Sequence, residues 1–440
     1  MPFYTGLLYY FVRPIARIGI WTFFRKIYLL NTHHIPKGKA VILASNHPTG
    51  FMEPCIMAVF FRRPLYYLVR GDFFRKPIFN FLLRALNMIP IFRKRDGSFR
   101  DLKSNFASFD ACYKALDAKR TIMIYPEGNA VMEKRLRPIK KGVSRLAYGT
   151  FEAYPDLEEL YIVPIGVNYT YADRPRSMVV INCQEPILVR NLLAESENNF
   201  ARFDQILRSK LTTAMQAGLV HIEAEEDEAL VEQLHQFERL RSPVNQQVFP
   251  VLSFKNLAFW KQEKSVSDLV NCLSGQEKEN LGLQLTGFFQ NLEQKRLSDG
   301  PLKGASTWSL IIKTSLLILT AIPCGLGFLF TWGISAIAWN IRRTKVKRNT
   351  FLGPVLVATN IGLYFLYYLF WLFLSLFTGY WYIFLSAILL GVFAYASNIW
   401  KESYNSLTNQ RRYRRLSPED KAKIQGNLQA IQAYLLALKK

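Results

Sequence analysis

Three short stretches of this chain carry side chains able to handle protons and anions. The first is Asn46-His47-Pro48-Thr49-Gly50-Phe51-Met52-Glu53-Pro54. An imidazole takes up a proton near neutral pH, and a carboxylate on its other nitrogen fixes the tautomer and stabilises the imidazolium. His47 with Glu53 therefore has the makings of a general base and its orienting acid, although a histidine six residues from an acid also arises often by chance. The second is Tyr125-Pro126-Glu127-Gly128-Asn129-Ala130, followed by Lys134, Arg135, Arg137, Lys140 and Lys141. It gathers backbone amides, a carboxylate and several cations, and its plainer alternative is a turn before a basic, solvated helix. The third is Met88-Ile89-Pro90-Ile91-Phe92-Arg93-Lys94-Arg95. The planar fork of arginine matches a phosphate through paired hydrogen bonds, so Arg93 is a candidate phosphate clamp, with a membrane-surface charge as the alternative.

Other chemistries find less support. The five cysteines, Cys55, Cys112, Cys183, Cys272 and Cys324, are odd in number and never spaced as ligand pairs. They read as reduced core thiols, with no disulfide framework and no metal site. No serine or cysteine sits in a recognisable nucleophile elbow, so direct transfer without a covalent enzyme intermediate is expected. Neither a metal nor a cofactor is called for.

Each reactive stretch follows or closes an apolar run. The runs at 41–45, 65–69, 88–92, 121–125, 161–169 and 178–183 are apolar on consecutive positions, which implies strands buried on both faces. Helices are expected near Pro54 to Phe61, Pro77 to Leu86, Phe99 to Ala118 and Lys141 to Phe151. The pattern predicts an α/β layered sheet with flanking helices over 35–203, where ligands bind at the carboxyl edge of the strands. Residues 204–305 read as a mostly helical polar region, and the acidic run from Glu223 to Glu232 as a solvated helix face.

Half of the residues are hydrophobic and the net charge is +23, but the two are unevenly spread. From Trp308 to Trp400 the chain is apolar almost throughout, broken chiefly by Arg342, Arg343, Lys345, Lys347 and Arg348. The run from Trp308 to Trp339 would be about 48 Å long as a straight helix, against a hydrocarbon core of about 30 Å. With Pro323 at its middle, it is expected to form a helical hairpin or re-entrant pair, and Phe351 to Trp400 a second hairpin turning at Thr378-Gly379. This carboxy-terminal part, 306–400, is thus expected to be an all-α transmembrane region. An even number of crossings leaves the basic tail 401–440 and the soluble part on one side, which the positive-inside rule makes cytoplasmic. Residues 1–34 lack the features of a signal peptide and are expected to remain on the protein as amphipathic membrane-interface helices, with Leu7, Phe11, Ile15 and Ile18 at helical spacing. Between 62 and 103, eleven lysines and arginines face three aspartates among many aromatics. The apolar carboxy-terminal third makes anionic lipid headgroups the expected partner of that charge, not nucleic acid.

In this order and at these separations the stretches resemble the glycerolipid acyltransferase family: the bacterial lysophosphatidate acyltransferases and their glycerol-3-phosphate acyltransferase relatives. The resemblance spans roughly 35–190. Asn46-His47 through Glu53-Pro54 looks like the first family block, Asn87 to Arg93 the second, Tyr125-Pro126-Glu127-Gly128 the third (Phe-Pro-Glu-Gly) and Ile162-Val163-Pro164-Ile165 the fourth. Leu136 to Gly142 matches what commonly follows the third block. Three departures stand out: five residues separate His47 from Glu53 where four are commonest, Glu replaces Asp, and Asn129-Ala130 stands where Thr-Arg is usual.

The resemblance implies an O-acyltransferase in which His47 is the base and Glu53 orients it. Arg93 with Glu127 and Gly128 would bind the acceptor phosphate, and Arg135 or Lys140 would supply the missing cation. The fourth block would line the acyl side. The implied partners are a bilayer, an acyl thioester donor on coenzyme A or acyl carrier protein, and a phosphorylated glycerol acceptor. Lysophosphatidate, giving phosphatidic acid, is the leading acceptor and glycerol 3-phosphate the alternative. A non-catalytic lipid-binding or scaffold protein is the competing class, against which the intact His47 argues.

Overall fold

A computed structural model describes residues 3–92, 99–241, 251–254, 257–297, 302 and 306–438. The chain divides into two compact units. The first comprises Met1–Leu219, Val251–Asn256 and Val346–Ile361. Its elements run α1 (Phe3–Phe23), β1 (Lys26–Leu30), β2 (Ala40–Ser45), α2 (Met52–Phe60), β3 (Leu65–Arg70), α3 (Pro77–Ala85), β4 (Met88–Ile91), α4 (Phe99–Asp117), β5 (Thr121–Ile124), α5 (Gly142–Ala153), β6 (Leu160–Tyr169), β7 (Met178–Cys183), β8 (Ile187–Leu188), α6 (Val189–Glu195), α7 (Phe200–Ala217) and β9 (Val251–Ser253).

The strands form one mixed sheet in the order β4-β3-β5-β2-β6-β7-β1-β9, with β8 beside β6. From β4 through β6 every pairing is parallel, and the direction reverses at the β6–β7 hairpin. β2 is central and buried along its whole length, as its unbroken Ala-Val-Ile-Leu-Ala run requires. Ala40, Ile42 and Ala44 pack on one face with Ile122 and Ile162, against Leu116 of α4, Val143 and Leu146 of α5, and Phe203, Leu207 and Leu211 of α7. Register pairs Ala44 with Ile124 and Arg70 with Ile91. The carboxyl ends of β2, β5 and β4 therefore leave the sheet at one edge.

The six apolar runs are all strands. The amino-terminal segment differs from expectation: α1 stops at Phe23, and Lys26–Leu30 is a strand between β7 and β9. A four-residue apolar run fits a helix or a strand equally well, and here the open edge of β7 supplies the backbone partners. α1 lies on α2 through the Tyr9 hydroxyl, which donates to Ala58 O (3.2 Å), and through Arg17 over the Phe60 ring. It leaves Leu7, Tyr10, Phe11, Ile18 and Trp21 exposed. The first unit also reaches past 203, because α7 hides an apolar stripe, Phe203, Leu207, Leu211 and Met215, within a polar composition.

The second unit comprises Val220–Pro250, Leu257–Lys345 and Gly362–Lys440. It contains α8 (Glu228–Arg241), α9 (Leu257–Cys272), α10 (Gly275–Gln294), α11 (Thr307–Lys345), the greater part of α12 (Leu352–Thr378), α13 (Trp381–Arg415) and α14 (Pro418–Ala437). α8, α9, α10 and α14 enclose Leu234, Phe237, Val270, Leu285, Phe288, Ile431 and Leu435. The segment after 400 is thus the end of one helix and a second, packed one, in place of the basic tail expected there.

Three helical segments, Thr307–Lys345, Asn349–Thr378 and Trp381–Arg415, are long and apolar enough to cross a membrane. The hairpin expected at Pro323 does not form: α11 continues through it for 39 residues, about 58 Å. A proline removes one backbone hydrogen bond, which a membrane helix tolerates when its neighbours pack around it. α13 provides that packing in antiparallel orientation. Arg414 donates to Thr307, Lys313 to Gln410, and the Trp400 indole to Leu317 O (2.8 Å).

Spin labels placed together at Ser306 and Thr344, in a chain stripped of other reactive thiols, are expected to stand about 57 Å apart, as continuous helix between them requires. A separation of about 10 Å, that of two packed helices, would restore the hairpin.

Candidate active site

The loop between β2 and α2 is held at successive residues. Asn46 turns its amide onto the neighbouring strand, with Nδ2 donating to Val167 O (2.9 Å) and Oδ1 accepting from Val167 N (2.7 Å). The side chain thus takes the place of the next backbone rung and releases the main chain from the sheet. His47 N–H donates to Glu127 Oε1 (3.1 Å), and His47 O accepts from Val131 N (3.1 Å). Thr49 Oγ1 accepts from Met52 N (3.0 Å), an otherwise orphan donor at the start of α2. Thr49 N–H in turn donates to Glu53 Oε1 (2.7 Å).

Glu53 is fully buried in the first turn of α2, where the helix terminus favours a carboxylate. Its second oxygen lies 3.5 Å from His47 Nδ1. That distance is a close contact, longer than a formed hydrogen bond. The imidazole lies flat on Tyr125, with ring centroids 3.8 Å apart and planes 14° from parallel. It is 12 % exposed, so one edge is open. Burial, and then the Glu53 charge, raises the Tyr125 and Tyr169 phenols well above their usual range and pushes the Cys55 thiol up to about 12. These groups stay protonated, and Cys55 is no nucleophile.

The second loop closes on itself with Gly128 N–H donating to Tyr125 O (3.0 Å) and Lys140 N–H to Pro126 O (2.9 Å). Gly128 has a φ of +79°, and a Cβ there would fall 2.9 Å from the Lys140 ammonium, so the turn requires glycine. Glu127 is 4 % exposed and both of its oxygens are engaged, one by His47 N–H and the other by Arg137 Nε (2.8 Å). Burial raises its carboxyl above the usual range, while the Arg137 guanidinium and the His47 amide pull it back down. Arg137 also meets Glu133 (3.1 Å) and donates to the Asn129 carbonyl. Arg135 pairs with Glu133 (2.8 Å).

The structure brings together His47, Glu53, Glu127 and Gly128, with Lys140 beside the glycine and Arg135 linked to Glu127 through Glu133 and Arg137. Glu127 faces a backbone amide and an arginine, so its influence on a bound anion would pass through them. Arg93 lies outside the described residues. Three site residues have roles that the sequence did not reveal. Asn46 was visible as a polar residue ending an apolar strand. The stacking of Tyr125 on His47 depends on strand register, and nothing distinguished Arg137 from the cations around it.

Residues 26–168, which span both loops, match the family model described as Acyltransferase. The chain carries an acyltransferase-family domain. The domain is similar to the 1-acyl-sn-glycerol-3-phosphate acyltransferase of Borreliella burgdorferi, at 28% identity over 144 residues, 33% of this chain and 55% of that protein. It is also similar to glycerol-3-phosphate O-acyltransferase 2 of Saccharomyces cerevisiae, at 34% identity over 85 residues, 19% of this chain and 11% of the yeast protein. The match thus spans about half the length of the bacterial relative and about a tenth of the yeast one. Among solved structures, the 1-acyl-sn-glycerophosphate acyltransferase of Thermotoga maritima aligns with a TM-score of 0.34 and 16% identity, over 47% of this chain and 78% of that one.

Arg137→Ala would leave the Glu127 carboxyl of the acyltransferase domain buried without its cation, at about 3 kcal/mol of stability. With its pKa raised further, folding takes up a proton that the unfolded chain does not hold, so the loss grows as pH rises above the ordinary carboxylate range. The melting midpoint of this variant is expected to fall further below wild type at about pH 8 than at about pH 5. An equal fall at both would show that Glu127 is not the group Arg137 supports.

Proposed function

We propose that this chain is a membrane-bound O-acyltransferase that moves an acyl group from a thioester, on coenzyme A or acyl carrier protein, to the free hydroxyl of 1-acylglycerol 3-phosphate, yielding phosphatidic acid. The observation that carries this reading is the approach of His47 Nδ1 to the buried Glu53 carboxylate, 3.5 Å away, on a loop tied through Glu127 to the next strand end.

With Nδ1 facing Glu53, Nε2 is the nitrogen left for the acceptor. It removes the hydroxyl proton as the oxygen attacks the thioester carbonyl. The tetrahedral intermediate then expels the thiolate, which takes the proton back from the imidazolium. Glu53 holds the tautomer and stabilises the cation that forms in between. Arg93, with Arg135 and Lys140, binds the acceptor phosphate and turns attack into an effectively unimolecular step.

A second acceptor, glycerol 3-phosphate, is favoured by the 34% identity to the yeast glycerol-3-phosphate enzyme and by the five residues between His47 and Glu53. The domain is proposed to face the cytoplasm. This reading is supported by Val346–Ile361, which belongs to the same compact unit as the site and carries Lys347 and Arg348, cations that the positive-inside rule favours on the cytoplasmic face.

Purified protein in lipid, offered both acceptors in parallel with either donor, is expected to acylate lysophosphatidate. His47→Ala is expected to lower the rate by about 10²–10⁴-fold while the protein stays folded and membrane-bound. Full activity in that variant, or transfer to neither acceptor by wild type, would refute the reading. Arg93→Ala is expected to raise KM for the acceptor well above any change in KM for the donor. Equal changes would remove Arg93 from the phosphate site.

A further inference from the structure

Gly50 lies midway between His47 and Glu53, and its amide is held from far along the chain. Gly50 N–H donates to Thr350 O (2.8 Å). The Phe351 ring lies against Gly50 so closely that a Cβ there would come within 2.6 Å of Phe351 Cδ1. The Phe51 and Phe351 rings meet beside it, centroids 6.1 Å apart and planes at 55°. Thr350 is buried in a short 3-10 turn, Asn349–Phe351, in which Asn349 Oδ1 accepts from Thr350 N and Arg348 O accepts from Phe351 N. This turn joins α11 to α12, yet it belongs to the unit that holds the site.

The other anchors given above for this loop, from Val167, Glu127, Val131 and Glu53, come from residues of the acyltransferase domain itself. The Thr350 and Phe351 anchor comes from the connection between two membrane-length helices. It acts at the point of greatest leverage, because Gly50 is three residues from each member of the base and carboxylate pair. That pair stands at 3.5 Å, where a few tenths of an ångström decide whether a hydrogen bond forms.

We propose that the Thr350 carbonyl and the Phe351 ring are positioning groups for the reaction: they clamp Gly50 and thereby set the separation of His47 and Glu53, so that the connection between α11 and α12 is part of the active site. The proposal rests on the acyl-transfer reading above. It makes Phe351 a residue that acts on turnover through the loop, with no direct contact to substrate required.

The test uses the full chain in lipid and four variants: Phe351→Ala, Phe351→Leu, Gly50→Ala and the double Gly50→Ala/Phe351→Ala. Hydrogen exchange of 46–53, the melting midpoint, and kcat and KM for each substrate are measured. Phe351→Ala is expected to speed exchange in 46–53 and to lower kcat about 10- to 100-fold, the range set by a misplacement of up to an ångström. KM for both substrates should stay within about two-fold, as for a group that acts only in the transition state. Phe351→Leu should retain most of the activity. Gly50→Ala should impair turnover by displacing the ring, and the double variant should lose less than the product of the single losses, because the new methyl occupies space the ring has left. Unchanged exchange in Phe351→Ala would overturn the clamp, and a rise in KM at unchanged kcat would overturn the positioning role in favour of substrate contact. Exchange reads the clamp whether or not transfer is seen, so a wild-type chain that transfers nothing counts against the reaction alone.

Discussion

Adjacent parallel pairing of β2 with β5, with Ala44 opposite Ile124, is the constraint on which the rest of the site depends. Parallel neighbours end at the same edge, so the residues that follow them must share one space. That is why His47 and Glu127, far apart in the chain, meet through a backbone hydrogen bond of 3.1 Å. It is also why Tyr125, the first residue beyond β5, slides under the imidazole. A slip of one residue in this register would move every side chain of β2 to the opposite face of the sheet and separate the loops together. Close packing on both faces opposes it: Ala40 through Ala44 are wholly enclosed.

Two buried carboxylates then divide the work by environment. Glu53 has a backbone N–H on one oxygen and the imidazole facing the other, so in the proposed reaction its charge would stabilise an imidazolium at His47. Glu127 is neutralised by Arg137 and holds a main-chain amide, so it fixes where His47 stands but does not face the ring nitrogen. The two could not exchange roles, because one faces an imidazole and the other a permanent cation. Tyr125, raised well above its usual pKa, supplies a flat neutral surface that restricts the imidazole to one plane.

Much of this was legible in the chain because the sheet is buried on both sides, which writes each central strand as a continuous apolar run. His47, Glu53, Glu127 and Gly128 stood out for the same reason, in the short stretches that follow such runs. What was not legible depended on partners distant in sequence. Lys26–Leu30 has a run too short to declare itself, and only the free edge of β7 makes it a strand. Val251–Ser253 is a strand solely because it lies beside β1. Pro323 marks a break by local rules, but the packing of α13 along α11 overrides them. Arg137 is one cation among several until strand register brings Glu127 to it, and no local pattern links Gly50 to Thr350.

The departures in the first block become intelligible as parts of one solution. Five residues between His47 and Glu53 make a longer loop, and holding one more residue costs about 1–2 kcal/mol of backbone entropy. Glu53 offsets part of this by its reach: one oxygen closes the loop on Thr49 N–H while the other still faces His47. An aspartate, one methylene shorter, would have less reach for both. The remainder falls to the Thr350 carbonyl, whose bond to Gly50 N–H contributes about 1 kcal/mol, close to the ordering cost of a single residue. The added length of the loop, the exchange of aspartate for glutamate and the anchoring by a segment between membrane-length helices are therefore linked. Removing the glutamate or the anchor would return to the loop the freedom that the added residue brings.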